Sequence, residues 1–512
     1  MSIIADFTMT GLQFLSSLFV FVFGAGILVV VGMFVADATQ SHDAVRHNFP
    51  VVGRFRELFT RLGEFFRQYF FALDREEMPF NRAERDWIYK SAEGRSNTMP
   101  FGSTRNLTIV GTPIFVNCPF PKLDEEASDP PPVVIGPYTE HPYAHASVLN
   151  ISAMSYGSLS KPALQALSRG AAKAGCWLNT GEGGLSPWHL EGGCDIIFQI
   201  GTAKYGVRND DGTLSEDKLR AVAGKPQVKM IEIKLSQGAK PGKGGILPGE
   251  KVTREIAKIR GIPAGEPSIS PNRHPEIDNV GELLDFVDRV RRVSGLPTGV
   301  KLVIGAYGWL LDLCDEIERR GVESAPDFLT IDGGDGGTGA APMSLMDNVG
   351  LPLKQALLMV VDVLERRGLK DRIVVIASGK LVTPAEVAFA YCAGADFVNT
   401  GRGFMFAIGC IQALRCNTNT CPTGVTTHKK NLQAGLKPKV KAEGVANYVE
   451  KMRKDVAMIA HSCGAAHARG LKPFHVRIVQ PDGRSAPLDE LRDRLSPLSP
   501  NATDVSYARR AG

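Results

Sequence analysis

The chain has 512 residues, 44% of them hydrophobic, with 59 basic against 54 acidic residues and a net charge of +5. Charges of both signs are interspersed, so no basic footprint for nucleic acid stands out. Nine cysteines, an odd number with three of them clustered, argue against a disulfide framework and for a reducing compartment.

No charged residue occurs from Gly11 to Val35, where Phe, Leu, Val and Ile dominate. A bilayer is spanned by about 20 apolar residues, so residues 1–36 are expected as a single transmembrane anchor. A buried core helix and a cleaved signal peptide are the alternatives, and Ala36-Asp37-Ala38 has the small-residue spacing of a cleavage site. No basic residue precedes the run, however, and it outlasts a signal-peptide core. Arg46, Arg54, Arg56 and Arg61 follow it. Positive flanks stay in the cytoplasm, so the expectation is a single-pass protein of the cytoplasmic membrane with its catalytic domain in the cytoplasm.

Residues 37–146 read as a membrane-proximal helical and linker region. Within it Phe55, Leu58, Phe59, Leu62, Phe65, Phe66, Tyr69 and Phe70 recur at helical spacing, interleaved with Arg54, Arg56, Arg61 and Arg67. Such a helix either lies on an anionic leaflet or packs on the catalytic domain. Asp129-Pro130-Pro131-Pro132 marks a loop ahead of the first strong strand.

Over residues 147–430 short β-branched runs alternate with helical patterns. The expected strands are Val148–Ala153, Trp177–Thr180, Val228–Leu235, Ser268–Ser270, Gly299–Ile304, Phe328–Asp332, Ile373–Ala377 and Phe397–Thr400. Amphipathic helices are expected over Gly281–Val293, Leu353–Arg367 and Pro384–Ala393. Nearly continuous apolar strands alternating with helices predict a parallel sheet buried on both faces, and eight units predict a (β/α)8 TIM barrel, which absorbs roughly 250 residues as one domain. Most strands end in Gly and polar residues, as the active-site rim of such a barrel requires. Residues 431–512 are expected as a helix, about Lys441–Cys463, then a loose tail through the Pro-rich Leu495–Pro500 to Arg509-Arg510.

Four patterns carry chemistry. Cys410-x5-Cys416-x4-Cys421-Pro422 offers three thiolates on closely spaced loops, suited to an iron–sulfur cluster or to zinc with His428 as a fourth ligand. Gly334-Asp335-Gly336-Gly337-Thr338-Gly339 follows a strand and reads as a glycine loop approaching a phosphate. Gly379-Lys380 and Gly401-Arg402, at the last two strand ends, complete that pocket. After the strand ending at Leu235, Gln237 and Lys240 open a Gly/Lys/Pro loop, and with Lys243 and Arg260 they suit an anionic substrate. Lys301 lies inside an apolar strand, where a lysine must be paired or functional. Glu182, between glycines, is the matching acid.

Ser152-Ala153-Met154-Ser155-Tyr156-Gly157, Asn179-Thr180-Gly181-Glu182-Gly183-Gly184, Gln237-Gly238-Ala239-Lys240-Pro241-Gly242, Val300-Lys301-Leu302-Val303, Asp335-Gly336-Gly337-Thr338-Gly339-Ala340 and Asn419-Thr420-Cys421-Pro422 resemble the FMN-binding synthase domain of glutamate synthase. The resemblance implies FMN and a [3Fe–4S] cluster held by Cys410, Cys416 and Cys421. It implies that Met154, Ser155, Lys301, Gly336, Gly337, Gly379, Lys380, Gly401 and Arg402 surround the flavin. Glu182, Gln237, Lys240 and Arg260 would meet a 2-oxo acid, with Lys301 and Glu182 as the catalytic pair. The implied reaction reduces an imine of 2-oxoglutarate to glutamate with electrons passed through the cluster to FMN.

Two positions depart from the family pattern: Asn417 stands where His is usual, and Lys204-Tyr205-Gly206 replaces Gly-Arg-Phe-Gly. The chain starts with Met1-Ser2 rather than with the exposed cysteine of a glutaminase domain. Ammonia is therefore expected free or from a separate subunit, and electrons from ferredoxin or a separate reductase. The alternatives are a membrane-linked FMN oxidoreductase acting on another amine or imino acid, and a non-catalytic membrane scaffold.

Overall fold

Strands with both faces buried need helices outside and interlocked side chains inside, and a closed barrel supplies both. In the computed structural model, which describes residues 2–495, eight parallel strands close into one barrel. They are β1 (Asn150–Ile151), β2 (Leu178–Asn179), β3 (Ile196–Ile200), β4 (Val228–Lys234), β5 (Thr298–Leu302), β6 (Phe328–Asp332), β7 (Val374–Ser378) and β8 (Phe397–Thr400). Chain neighbours are spatial neighbours throughout, and the ring closes where Asn399 of β8 pairs with Asn150 of β1.

The expected count of eight is met, but one strand was misplaced. Ser268–Ile269 is no part of the barrel; it pairs antiparallel with Ile246–Leu247 in the long excursion between β4 and β5. The strand that takes its place is β3, whose Ile-Ile-Phe-Gln-Ile run is buried at every position, as a central parallel strand demands.

Glu232 of β4 lies in the barrel interior, where its carboxylate accepts hydrogen bonds from Asn179 (2.8 Å), Gln199 (2.7 Å) and Thr330 (2.7 Å) on three other strands. The N-terminal mouth is closed by the hairpin Val133–Ile135/Tyr143–His145, packed with Trp177, Phe328, Val374 and Phe397. Access to the barrel is thereby left to the C-terminal rim.

Helix ends are set locally. The helix Lys161–Ala174 starts where the Ser160 hydroxyl accepts from the Ala163 N–H (3.3 Å) and ends on left-handed Gly175. The long helix expected near Lys441–Cys463 runs from Pro438 to Ser462 and crosses it at Gly170, where an added Cβ would sit 2.4 Å from Val445 Cβ.

Part of the expected loose tail is folded. Val476–Val479 pairs with Pro113–Phe115 of the linker and with Ser485–Pro487, and Leu488–Leu495 is helical. Backbone pairing with a segment more than 360 residues away is invisible to local composition. The rest of that tail, residues 496–512, lies outside the described residues.

The chain divides into two compact units, the first ending at Ala83 and the second, with the barrel, starting at Glu84. The first contains α1 (Ser2–Thr39), α2 (Ala44–Asn48) and α3 (Arg54–Phe66), the last continued by a π-helical turn, Arg67–Phe71. Thr8–Thr39 of α1 is long and apolar enough to cross a membrane, and none of its most apolar stretch is buried in protein.

Candidate active site

The C-terminal rim gathers most of the residues singled out above. Glu182 sits on a short turn, Gly181–Gly183, just past β2. Its Oε1 meets Lys234 Nζ at 2.9 Å, and Lys234 also donates to Gln237 Oε1 (2.9 Å). Burial alone would raise the Glu182 pKa, but the charges of Lys234, Lys240 and Arg260 outweigh it and hold the carboxyl below its usual range. Glycines let the backbone close around this carboxylate: a Cβ at Gly245 would lie 2.5 Å from Glu182 Oε1.

Lys240 is buried, and its pKa falls to about 8 because burial and the Lys234 charge outweigh Glu182. Arg260, in the last turn of Arg254–Arg260, is 4% exposed. Its Nη1 donates to Ser268 Oγ (3.1 Å), its Nη2 donates to the Tyr156 carbonyl (3.3 Å), and its guanidinium lies 5.1 Å over the Tyr205 ring. Arg260 Nε is buried without a hydrogen-bond partner. A buried donor is expensive to leave unmade, so this pocket suits an anion, and a carboxylate in particular.

Lys301 of β5 meets Asp332 Oδ2 of β6 at 3.3 Å, both side chains being nearly buried. Burial would lower the lysine pKa, but Asp332 and Glu232 overcome it and hold Lys301 charged above the usual lysine value. The same Asp332 oxygen accepts from Gly238 N–H (3.1 Å), and Gln237 donates to the Gly337 carbonyl (3.1 Å). These bonds link the loop after β4 to the glycine loop after β6.

Gly337 faces Arg402, which donates to the Asp335 carbonyl (2.9 Å) from just past β8, while Gly336 backs onto Gly333 and Asp332. A Cβ on Gly337 would sit 2.7 Å from Arg402 Nε, and one on Gly401 would sit 3.3 Å from Met154 Cε. Gly379 and Lys380 follow β7 with φ of 128° and 52°, a left-handed turn that brings the Gly379 backbone against Gly333. Ser155 packs on the Glu182 turn, since a Cβ on Gly181 would be 2.8 Å from the Ser155 nitrogen. Met154 and Ser155 thus join the side that carries Glu182 and its cations to the glycine-lined side. Bare backbone beside a half-buried guanidinium is the donor set a phosphate ester takes.

The three cysteines follow β8 on a loop in which Gln412, Leu414 and Asn419 all take left-handed φ. Burial pushes Cys410 up to about 12 and raises Cys416, with neighbouring cysteines adding to both. For Cys421, hydrogen bonds from Thr423 and Thr426 outweigh burial and lower its pKa. The thiols are therefore within electrostatic reach of one another. Among the described residues, no three His, Cys, Asp or Glu side chains converge as a single metal ion would require. His428, the fourth ligand a zinc site would need, instead bonds the Gly157 carbonyl through Nε2 (2.8 Å). In a cluster the thiolates bind iron atoms around a cage, an arrangement that asks for surrounding thiols rather than converging ones.

Three site residues were not singled out from the sequence. Lys234 and Asp332 terminate β4 and β6, and charge at the end of an apolar strand, the signal read at Lys301, marks both. Lys251 is buried beside the cysteine loop, donating to the carbonyls of Ser158 (2.9 Å) and Cys416 (3.3 Å). Nothing local distinguishes it from a solvated lysine. The departure at Lys204-Tyr205 falls in the pocket wall: Lys204 Nζ pairs with Glu276 at 3.0 Å, and Tyr205 lies under Arg260.

Comparison with known proteins bears on this geometry. The glutamate synthase large subunit-like protein YerD of Bacillus subtilis is 39% identical over 91% of this chain and 95% of its own length. An archaeal glutamate synthase [NADPH] of Methanocaldococcus jannaschii is 35% identical over 63% of this chain and 60% of its own. A glutamate synthase large subunit-like protein of Rhizobium meliloti is 29% identical over 64% and 73%. The family described as the conserved region in glutamate synthase matches residues 123–466. That span runs from the linker through the barrel, the cysteine loop and the whole of the long helix that follows, and the chain accordingly belongs to the glutamate synthase family.

Proposed function

We propose that this chain is a glutamate synthase-like flavin oxidoreductase that reduces an imine of 2-oxoglutarate, or of a related 2-oxo acid, to the amino acid. The observation that carries this reading is the packing of three buried cations, Lys234, Lys240 and Arg260, around Glu182. Three cations act on the single carboxylate of Glu182; such an excess of buried charge is costly, and a dianionic substrate would balance it. The non-catalytic scaffold reading gives that excess charge no counterpart.

FMN, when bound, supplies hydride transfer, and a [3Fe–4S] cluster on Cys410, Cys416 and Cys421 supplies electrons to it. The bare rim at Gly336, Gly337, Gly379 and Gly401, with Lys380 and Arg402, would hold the flavin phosphate, and Met154, Ser155 and Lys301 its ring. Arg260 and Lys240 would clamp the substrate carboxylate, with Gln237 beside them. Glu182, kept ionised, would take a proton from ammonium as the nitrogen adds to the 2-oxo carbon, and return it to the departing water. Lys301, held protonated by Asp332, sets a fixed positive charge at the site. Electrons would come from ferredoxin or a separate reductase, and ammonia from solution or a separate subunit. The helix α1 would hold the enzyme in the cytoplasmic membrane as a single span.

A second reading, a membrane-linked FMN oxidoreductase acting on another amine or imino acid, draws support from α1 and from Tyr205 beneath Arg260. One experiment separates the two. The full chain, purified in detergent under argon, is photoreduced and mixed with 2-oxoglutarate, ammonium, or both. Flavin reoxidation that needs both, with glutamate formed, is the expected result. A bound flavin that none of these mixtures reoxidises moves the assignment to the second reading, and a chain that binds no flavin refutes both.

A further inference from the structure

The N-terminal unit contains an amphipathic helix that the reaction does not use. At 3.6 residues per turn, Phe55, Leu58, Phe59, Leu62, Phe65 and Phe66 of α3 fall within an arc of about 120°, and Tyr69 and Phe70 continue the aromatic run along the π-helical turn. All eight are exposed, Phe59 at 65% and Phe70 at 66%, and α3 has no buried residue. Soluble surfaces rarely leave so large an apolar stripe uncovered. The charges are sorted around it. Arg56 and Arg67 flank one edge of the stripe and Arg54 and Arg61 the other, while Glu57 and Glu64 lie on the opposite face.

The position of α3 is tied to the foot of α1. Asp37, in the last turn of α1, is nearly buried and accepts from Arg54 Nε (2.7 Å) and Nη2 (2.8 Å) and from Val51 N–H (3.0 Å). Arg46 bonds Glu57 as well, bracing the elbow from α2. The first residue of α3 is therefore fixed within hydrogen-bond distance of the last turn of α1.

The geometry points to a second membrane contact: α3 and its π-helical continuation, residues 54–71, lie in the headgroup region of an anionic phospholipid bilayer, aromatic face down. This rests on α1 being the span proposed above, because a span ending near Thr39 puts Asp37 and its partner Arg54 at the bilayer surface. The aromatic stripe then reaches the acyl boundary, the four arginines sit level with lipid phosphates, and the two glutamates face water.

The test uses the full chain reconstituted into phosphatidylcholine–phosphatidylglycerol bilayers that carry a diazirine near the glycerol end of one acyl chain, with labelled peptides mapped by mass spectrometry. Label on both α1 and the aromatic face of residues 54–71 is expected. The α3 label should fall severalfold when phosphatidylglycerol is omitted, and to background in the triple variant Phe55→Glu/Phe59→Glu/Phe66→Glu, with α1 labelling unchanged. Label on α1 but none on residues 54–71 would mean that protein covers the stripe, from the barrel or a second copy, and overturns the proposal while the span stands. Undiminished α3 labelling in the triple variant, or in pure phosphatidylcholine, also overturns it. No label on α1 removes the span itself, and this inference with it.

Discussion

At the residue scale the pocket depends on cations whose charge state is set by their surroundings. Lys240 has its pKa lowered to about 8, burial being the main cause and the Lys234 charge the next. A lysine is charged below its pKa, so the hold proposed for it on a substrate carboxylate would be present at neutral pH and lost as pH rises through about 8. The kcat/KM for the 2-oxo acid is therefore expected to fall above about pH 8, since that ratio reports the free enzyme. Lys240→Met should lose that limb and roughly 10- to 100-fold in kcat/KM, the equivalent of about 1.5–3 kcal/mol for a charge-assisted hydrogen bond. Lys240→Arg should retain binding and move the fall to higher pH; steady-state kinetics across pH checks all three. Of this pocket, Glu182, Gln237, Lys240 and Lys301 were legible in the sequence because each interrupts a glycine-rich or apolar stretch, and Arg260 because it follows the Gly/Lys/Pro loop as a further cation. Lys251 was not, because its role comes from burial against Ser158 and Cys416, far away in the chain.

At the element scale the helices kept close to the ends their sequences mark, since caps such as Ser160 and C-terminal glycines such as Gly175 act within a few residues. Strands were harder. Once the barrel closes, β1 and β2 retain only two residues each, and an apolar run such as β3 has no period to distinguish it from a buried helix segment. Packing between elements leaves its own mark. Gly170 of the helix Lys161–Ala174 meets Val445 and the Ala442 carbonyl, with an added Cβ 2.4 Å from Val445 Cβ. Gly170→Ala gains helix propensity, yet is expected to lower stability by roughly 1–3 kcal/mol through overpacking. A lower unfolding temperature measured in detergent, with flavin content unchanged at low temperature, is the expected outcome.

At the scale of the whole molecule, the span proposed for α1 would decide how the enzyme is presented to the cell. A signal-peptide reading would cut near Ala36-Asp37-Ala38, and that cut would remove Asp37, the carboxylate that fixes Arg54 and the Val51 N–H. The intact protein is therefore expected to retain the segment through Ala38. Mass spectrometry of the purified chain should find it, in a membrane fraction released by detergent and not by alkaline carbonate. A shorter mass beginning at Thr39 or beyond would return the segment to the signal-peptide reading. The folding of Val476–Val479 against Pro113–Phe115 belongs to this scale too, since it ties the linker ahead of the barrel to the chain behind it.

By itself the sequence determined the class of the fold, most of the rim residues, the family and the apolar N-terminal segment. Those depend on local pattern: hydrophobic period, glycine at bare backbone approaches, charge inside apolar strands, and cysteine spacing. Tertiary structure alone decided that β3 and not Ser268–Ser270 completes the barrel, that Lys234 and Asp332 orient Glu182 and Lys301, and that part of the tail is a sheet. It also decided that the aromatic face of α3 is uncovered and fixed to the end of α1. Each of those is a pairing between residues distant in the chain, settled by burial and by the matching of charges and backbone donors, which no local window of sequence contains.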